Sequence, residues 1–425
     1  MSSQRDTFLV IGGSGFLGRH IVEALVARGD PVAVFDIVQR YHDTPFYSGD
    51  ISDQAQVSDA LRKSGASCII HTASPTAGLQ DPALYWKVNV DGTRAVIAAA
   101  QENRIPKLVY TSSAGVVFNG QDLIDVDERI PLPEKPLDAY NESKAKAEEL
   151  VIAANGVDGV LTVALRPAGI FGPGDRQVVP GFAKVLKEGR SHFQIGDNTN
   201  LFDWTYVGNV AYAHILAADK LVPQPPSTPE HVTEAFETAL PTIDLTTGQH
   251  RVPTSSARPL GPYVERPARG DEIASAFEGP HNPERPVVRS RFDQLSDPAL
   301  NRANTDPLQV AGQVFFITNG EPIYFWDFPR RLWRMLAPDT YPTRDPFVLP
   351  KTFGLAIATL SEWWGWLSGR EPTFTRFRVT FTCAHRWHNI ERARRVLGYE
   401  PQVGLEEGMR RAVEWWKAEE AKSAS

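Results

Sequence analysis

Tyr140 and Lys144 stand four residues apart in the stretch Tyr140-Asn141-Glu142-Ser143-Lys144. On a helix, side chains at this spacing share one face. A phenol beside an ammonium is a candidate acid/base. Free tyrosine has a pKa of about 10, and a neighbouring cation favours the phenolate and lowers that value. Taken alone, the pair is also what a solvated helix surface carries. It gains meaning from what precedes it. An apolar run over residues 107–112 leads into Tyr110-Thr111-Ser112-Ser113, whose last serine lies 27 residues before Tyr140.

A second constellation opens the chain. Gly12-Gly13-Ser14-Gly15-Phe16-Leu17-Gly18 holds glycines at positions 12, 15 and 18. A glycine run by itself serves equally as a plain strand-to-helix turn. This one follows an apolar run at 7–11, opens a helical pattern at 16–28, and has Asp36 at the end of the next apolar run, 31–36. That order is the dinucleotide-binding fingerprint. Small residues allow a tight turn and close backbone approach, and the helix N-terminus offers free N–H groups to a pyrophosphate. The Asp36 carboxylate suits a free ribose 2′-hydroxyl and repels a 2′-phosphate, which favours NAD. Arg40 keeps NADP open as the alternative.

These residues require elements to position them. Further helical patterns cover 54–64, 90–103 and 139–154, and further strand patterns cover 67–71, 107–112 and 160–166. Short apolar strands alternating with helices predict an α/β fold, a doubly wound parallel sheet of Rossmann type with right-handed crossovers. No internal repeat is present. The expected organisation is a dinucleotide-binding domain over 1–221, in which 176–205 contribute to the substrate site. A Pro/Ser/Arg-rich insertion follows over 222–307, read as a partly ordered surface segment or as a lid. A smaller substrate- and membrane-association region occupies 308–425, with a strand at 313–318 and helices from Asn389 and over 404–420.

The composition agrees with an enzyme on a small molecule. The chain has 425 residues, 42% apolar and 22% charged, with a net charge of −7. The acidic balance excludes a nucleic-acid partner, because no excess of lysine and arginine is present to neutralise phosphates. Two cysteines, Cys68 and Cys383, form no disulfide framework, and a reducing compartment follows. No signal peptide is expected at the N-terminus, and no stretch of about 18 apolar residues spans a membrane.

With these motifs in one chain, the sequence resembles the extended short-chain dehydrogenases/reductases. Further matching pieces are Gly49-Asp50-Ile51, His71-Thr72-Ala73-Ser74, Asn89 in Val88-Asn89-Val90-Asp91-Gly92-Thr93, and Arg166-Pro167-Ala168-Gly169. The resemblance implies that Tyr140 is the general acid/base, and that Lys144 lowers its pKa and holds the nicotinamide ribose. It implies that Ser113 hydrogen-bonds the reacting oxygen, with Ser112 as its rival. The implied cofactor-binding residues are Gly12, Gly15, Phe16, Leu17, Gly18, Asp36, Asp50, Ile51, Thr72, Ala73, Asn89 and Pro167, together with Tyr140 and Lys144. Ser74 departs from the commoner alanine of the fourth-strand motif.

Within that superfamily the chain is similar to the 3β-hydroxysteroid dehydrogenase branch, and in it to the fungal sterol-4α-carboxylate 3-dehydrogenases of the decarboxylating kind. The supporting segments are Tyr110 to Gly120, Asn200 to Ala211, Phe315 to Pro322 with Phe325-Trp326-Asp327-Phe328, and Leu397-Gly398-Tyr399-Glu400-Pro401. The implied reaction is oxidation of the 3β-hydroxyl of a 4α-carboxysterol to the ketone, with loss of the carboxyl group. The implied setting is the cytosolic face of the endoplasmic reticulum membrane, beside other enzymes of sterol C4 demethylation. A homodimer through the helix carrying Tyr140 is the arrangement common in related folds. Asn200 and Trp204 are the substrate contacts to test.

Two aromatic segments bear on the membrane, 324–336 and 347–367. Trp363, Trp364 and Trp366 suit a membrane interface, and equally the wall of a sterol pocket. Cys383, His385 and His388 lack a fourth ligand at metal spacing, so no metal is expected. Asp125, Asp127, Glu128 and Glu134 read as a solvated acidic loop. Competing functions are a tailoring dehydrogenase for a steroidal or triterpenoid secondary metabolite, another 3β-hydroxysteroid dehydrogenase, a sugar-nucleotide epimerase, and a non-catalytic NAD-binding regulator. The Trp- and Phe-rich second half disfavours a nucleotide-lined pocket, and the intact Ser113, Tyr140 and Lys144 disfavour a regulator.

Overall fold

The computed structural model describes residues 5–128, 130–223, 250–251, 263–264, 309–339, 341, 346–369 and 374–424. Of the 222–307 insertion only its first two residues and the antiparallel ladder His250–Arg251 with Tyr263–Val264 fall among them. The reading of that segment as lid or surface loop otherwise lies outside the described residues.

Seven parallel strands form the central sheet: β1 Phe8–Ile11, β2 Val32–Asp36, β3 Phe46–Ser48, β4 Cys68–His71, β5 Lys107–Thr111, β6 Leu161–Pro167 and β7 Gln313–Ile317. Their spatial order is β7-β6-β5-β4-β1-β2-β3, and every neighbouring pair is parallel. Chain order reverses beside β1, between β2 and β4, which is where open α/β sheets bind ligands beyond the strand C-termini. Both faces are covered, so the strands read as continuous apolar runs. Val10, Val34, Ile70 and Val109 pack on one face, toward α1 (Phe16–Arg28) and the helix Val207–Lys220. Leu9, Phe35, Ile69 and Leu108 pack on the other, toward α2 (Gln54–Ser64), α4 (Gly92–Glu102) and α5 (Ala139–Ala153), with the short helix α3 (Pro82–Tyr85) leading toward α4.

The predicted strands and helices of the first half are present with ends shifted by a residue or two. β3 was not anticipated; it is three residues long and has no periodicity to read. The sheet also does not end with the first 221 residues. β7 follows the insertion and forms the sheet edge against β6, so chain from beyond residue 308 completes the nucleotide-binding unit.

A second sheet of four short strands, in the order Ile323–Tyr324, Leu201–Phe202, Arg386–His388 and Leu123–Val126, ties the C-terminal region to the segment after β5. The acidic run at 125–128 belongs here, and the solvated-loop expectation is corrected: Asp125 and Asp127 are buried. Glu128 accepts the Phe316 N–H at 2.8 Å, and burial pushes its carboxyl up to about 7. Glu134 is exposed. Of the two aromatic segments, the first faces inward: Phe328, Leu332 and Trp333, on the helix Asp327–Leu336, are core residues. The second faces outward. On the helix Lys351–Ser368, Trp363, Trp364 and Trp366 are 59%, 66% and 78% exposed.

Candidate active site

The turn after β1 is shaped by what its glycines leave out. Gly12 has φ +83°, and a Cβ there would lie 2.7 Å from the Ala73 nitrogen. At Gly18 a Cβ would sit 2.2 Å from the Gly12 carbonyl oxygen, so α1 closes against the strand only with glycine at that position. Gly15 caps α1 without any side-chain acceptor, and no acidic residue occupies its first turn, which includes Phe16 and Leu17. The N-terminal N–H groups of α1 are thus offered to an anion. Thr72 buttresses the turn, its hydroxyl donating to the Ile11 carbonyl at 2.9 Å.

Asp36, at the end of β2, accepts the N–H of Ser14 at 3.0 Å and of Ile37 at 2.8 Å. It fixes the glycine turn and presents negative charge beside it. Arg40 donates to the Ser14 carbonyl at 2.9 Å, on the same rim. Asp50 accepts from the N–H and hydroxyl of Ser52 and pairs with Lys87 at 3.0 Å, and these partners hold its carboxyl down at about 2. Ile51 is buried against Gly92. Pro167 ends β6 at the same edge of the sheet. These residues fit a dinucleotide: uncapped amides for the pyrophosphate, a carboxylate for the ribose, and apolar cover at Ile51.

The reacting groups come from β5 and α5. Asp138 caps α5 by accepting the Asn141 N–H at 2.7 Å, which starts the helix one residue before Tyr140. The Ser113 and Ser74 side chains lie near the Tyr140 hydroxyl, and each favours its ionised form. Burial is the largest influence on it and pushes its pKa up to about 12, with nearby Ser113 opposing. Lys144 is buried, donates to the Thr111 carbonyl, and lies 4.4 Å from the centre of the Tyr110 ring. Burial brings its pKa down to about 7, with Glu148 opposing. The amine is aimed at Thr111, and desolvation dominates at both side chains.

Ser113 and Ser112 differ in what surrounds them. The Ser113 oxygen accepts the Gly115 N–H at 3.0 Å, opening the 3₁₀ turn Ala114–Val117, and meets Tyr140. Ser112 donates to Glu148 at 2.6 Å, and Glu148 is bound on its other side by Arg166. Asn89 reaches α5 rather than the sheet edge: its amide donates to the Ser143 hydroxyl at 2.9 Å, which donates to the Tyr140 carbonyl at 2.9 Å. Asn89 lies in the π-helical turn Trp86–Asp91, a distortion common at functional sites.

Three supporting residues were missed in sequence. The Thr111 hydroxyl donates to His214 Nε2 at 2.7 Å, and His214 Nδ1–H donates to the Val210 carbonyl at 2.7 Å, a tautomer set by these partners. Burial lowers His214 to about 4, so it is neutral and locks the strand end that carries the Lys144 acceptor. Ser74, read as a departure from pattern, lies near the Tyr140 hydroxyl and favours its ionised form. Tyr85 packs edge-on to the Tyr140 ring with centroids 5.5 Å apart. No spacing in the sequence links these residues to Tyr140.

Asn200 and Trp204, the expected substrate contacts, both sit in the packed interior. Asn200 is buried, and its amide donates to the carbonyls of Thr382 and Ala384 at 3.0 and 2.9 Å. Trp204 is stacked on Phe328 at 4.2 Å within an aromatic cluster. His385 Nδ1 accepts the Leu201 N–H, and His388 Nδ1 faces Asp203 at 3.1 Å.

Comparison with known proteins agrees with this arrangement. Residues 9–236 match the model of the 3-beta hydroxysteroid dehydrogenase/isomerase family. The chain is 38% identical to the decarboxylating sterol-4-alpha-carboxylate 3-dehydrogenase of Saccharomyces cerevisiae, over 97% of this chain and 98% of that one. It is 32% identical to the Homo sapiens protein of the same description, over 97% and 88%. Among solved structures, the UDP-glucose 4-epimerase of Thermus thermophilus in complex with NAD superposes with a TM-score of 0.56 at 20% identity, covering 97% of this chain and 99% of that one. At that identity the likeness speaks for the fold. The chain belongs to the 3-beta hydroxysteroid dehydrogenase/isomerase family.

Proposed function

We propose that this chain oxidises the 3β-hydroxyl of a 4α-carboxysterol to the 3-ketone, with loss of the 4-carboxyl group, using NAD. The observation that carries the reading is the placement of the Ser113 side chain beside the Tyr140 hydroxyl, next to buried Lys144 and the glycine turn. A chain 38% identical to a decarboxylating sterol-4-alpha-carboxylate 3-dehydrogenase supports the substrate.

Bound NAD supplies the hydride acceptor. Tyr140, as phenolate, takes the proton of the 3β-hydroxyl, and Ser113 donates a hydrogen bond to the same oxygen. Lys144 binds the nicotinamide ribose, and the Thr111 carbonyl orients its amine. Oxidation makes the 4α-carboxylate a β-keto acid. Carbon dioxide then leaves with the bonding pair delocalised into the 3-oxygen as an enolate, which the hydroxyls of Ser113 and Tyr140 hold until carbon 4 is protonated. Asp36 favours NAD over NADP by repelling a 2′-phosphate. Incubation of purified protein with NAD and a 4α-carboxysterol tests the reading. A ketone lighter than the substrate by carbon dioxide and two hydrogens supports it; unchanged sterol refutes it.

We further infer that the protein meets its substrate at a membrane surface. On the helix Lys351–Ser368, Phe353, Ile357, Leu360, Trp364 and Leu367 recur at helical spacing and stand 47–66% exposed. Phe347 and Phe193, on paired strands at 59% and 48% exposure, add to the apolar surface. Among the described residues no helix is long and apolar enough to cross a membrane. An interfacial helix lies in the headgroup plane, with tryptophan at its level. By the function proposed, the membrane is the cytosolic face of the endoplasmic reticulum. Flotation with liposomes checks this: wild type co-floats and a Trp363, Trp364, Trp366→Ser variant does not; a wild type that stays in the aqueous fraction contradicts it.

A further inference from the structure

Arg386 lies on the strand Arg386–His388, between Leu201–Phe202 and Leu123–Val126. Its guanidinium carbon sits 4.4, 4.9 and 4.1 Å from the ring centres of Phe118, Phe202 and Phe381. Among the described residues this guanidinium has neither an ion-pair nor a hydrogen-bond partner. The residue is half-buried, and burial lowers its pKa to about 9.

An arginine so placed is incompletely compensated. Aromatic faces attract a cation, by about 2 kcal/mol when desolvated, but they accept none of its five N–H donors. The two carboxylates near enough to act on it electrostatically are otherwise engaged. Asp203 accepts from the N–H of His388 at 2.8 Å and faces its ring nitrogen at 3.1 Å. Asp138 caps α5.

The neighbourhood of Arg386 is the neighbourhood of the reacting groups. Phe118 directly follows the 3₁₀ turn that Ser113 opens, and Asp138 stands two residues before Tyr140. The guanidinium therefore lies beside Phe118 and within electrostatic reach of Asp138, on the two segments that deliver the hydroxyls. A 4α-carboxysterol brings its anion on the carbon next to the one that reacts. In an apolar pocket that carboxylate needs a cation and several donors.

We propose that Arg386 is the carboxylate-recognition residue of this enzyme, forming a two-pronged ion pair with the substrate's 4α-carboxylate. The inference rests on the sterol reading above. The planar guanidinium matches a carboxylate fork, and three aromatic rings within 5 Å hold it in place. Once carbon dioxide has left, the ketone carries no anion, so the contact that favours substrate does not hold product.

The test compares binding of a 4α-carboxysterol and its methyl ester, by competition with a fluorescent sterol. Wild type prefers the acid by about thirtyfold or more, the scale of a charge-assisted pair. In Arg386→Gln the preference falls toward one while ester and NAD binding persist, and Arg386→Lys keeps part of it. A wild type that binds the ester as tightly as the acid overturns the proposal without reference to any variant. An unchanged preference in Arg386→Gln, or equal loss of acid and ester in a variant that still binds NAD, also overturns it. Wild-type protein that turns over the carboxysterol while showing no preference removes only this inference. Wild-type protein that neither binds nor oxidises any sterol removes the functional reading beneath it.

Discussion

The hydroxyl of Ser112 donates to the carboxylate of Glu148 at 2.6 Å, and both groups are buried. The adjacent Ser113 meets Tyr140. Two neighbouring serines thus divide into one that joins strand to helix and one at the reacting oxygen. Ser113→Ala is expected to lower kcat by about 10²–10³, the scale for removing one donor to a developing oxyanion, with little change in melting temperature. Ser112→Ala is expected to do the reverse. It leaves a buried acceptor short of a donor, at about 1–3 kcal/mol, and keeps most of the turnover. Steady-state rates and thermal denaturation of both variants check this pair.

Tyr140 has a pKa pushed up to about 12 by burial. Below that value its phenolate fraction grows about tenfold per pH unit. Oxidation is expected to quicken with pH across roughly pH 7 to 9, since the base form is the ionised one. Tyr140→Phe should be about 10²–10⁴-fold slower and lose this dependence while still binding NAD. A pH-rate profile of both proteins reads the difference.

Lys144 works against the fold that holds it. Its pKa is about 7 in the native state against an ordinary value near 10.4. Between those values the unfolded chain binds a proton that the folded chain does not, so wild-type stability rises with pH across the window. Below about pH 7 the penalty is complete. Lys144→Met is therefore expected to raise the melting temperature by several degrees at pH 6 to 7, less as pH approaches 10, while abolishing turnover. Thermal denaturation across pH tests the sign; a variant less stable than wild type at pH 6 contradicts it.

Asp36 presents its charge where a 2′-phosphate would sit, with Arg40 on the same rim. Asp36→Ser is expected to narrow the preference for NAD over NADP by about tenfold or more, since it removes a like-charge repulsion. The ratio of kcat/KM for the two cofactors measures it.

The first half of the fold was legible because a parallel sheet buries both faces. Its strands become apolar runs and its turns become glycines, and both leave marks in one sequence. Tyr140 and Lys144 were legible as a pair, because helix geometry fixes spacing four. Their proton affinities were not, because desolvation depends on what packs around them. Tyr85, Ser74 and His214 reach the site from other elements, and nothing local announces them. Asp127 and Glu128 looked like a solvated run because composition cannot show that a second sheet forms over it. Arg386 stands among many arginines in the sequence, and its aromatic setting exists only once Phe118, Phe202 and Phe381 are assembled around it.

The central claim is that Tyr140 and Ser113 drive an oxidation which makes the 4-carboxyl group leave. The most direct measurement follows reduced cofactor and released carbon dioxide together, with NAD and a 4α-carboxysterol labelled in the carboxyl carbon. The account predicts one carbon dioxide for each reduced cofactor in wild type, and in Tyr140→Phe both products slowed together by about 10²–10⁴-fold. Reduced cofactor without carbon dioxide, or carbon dioxide released by Tyr140→Phe at the wild-type rate, would contradict it.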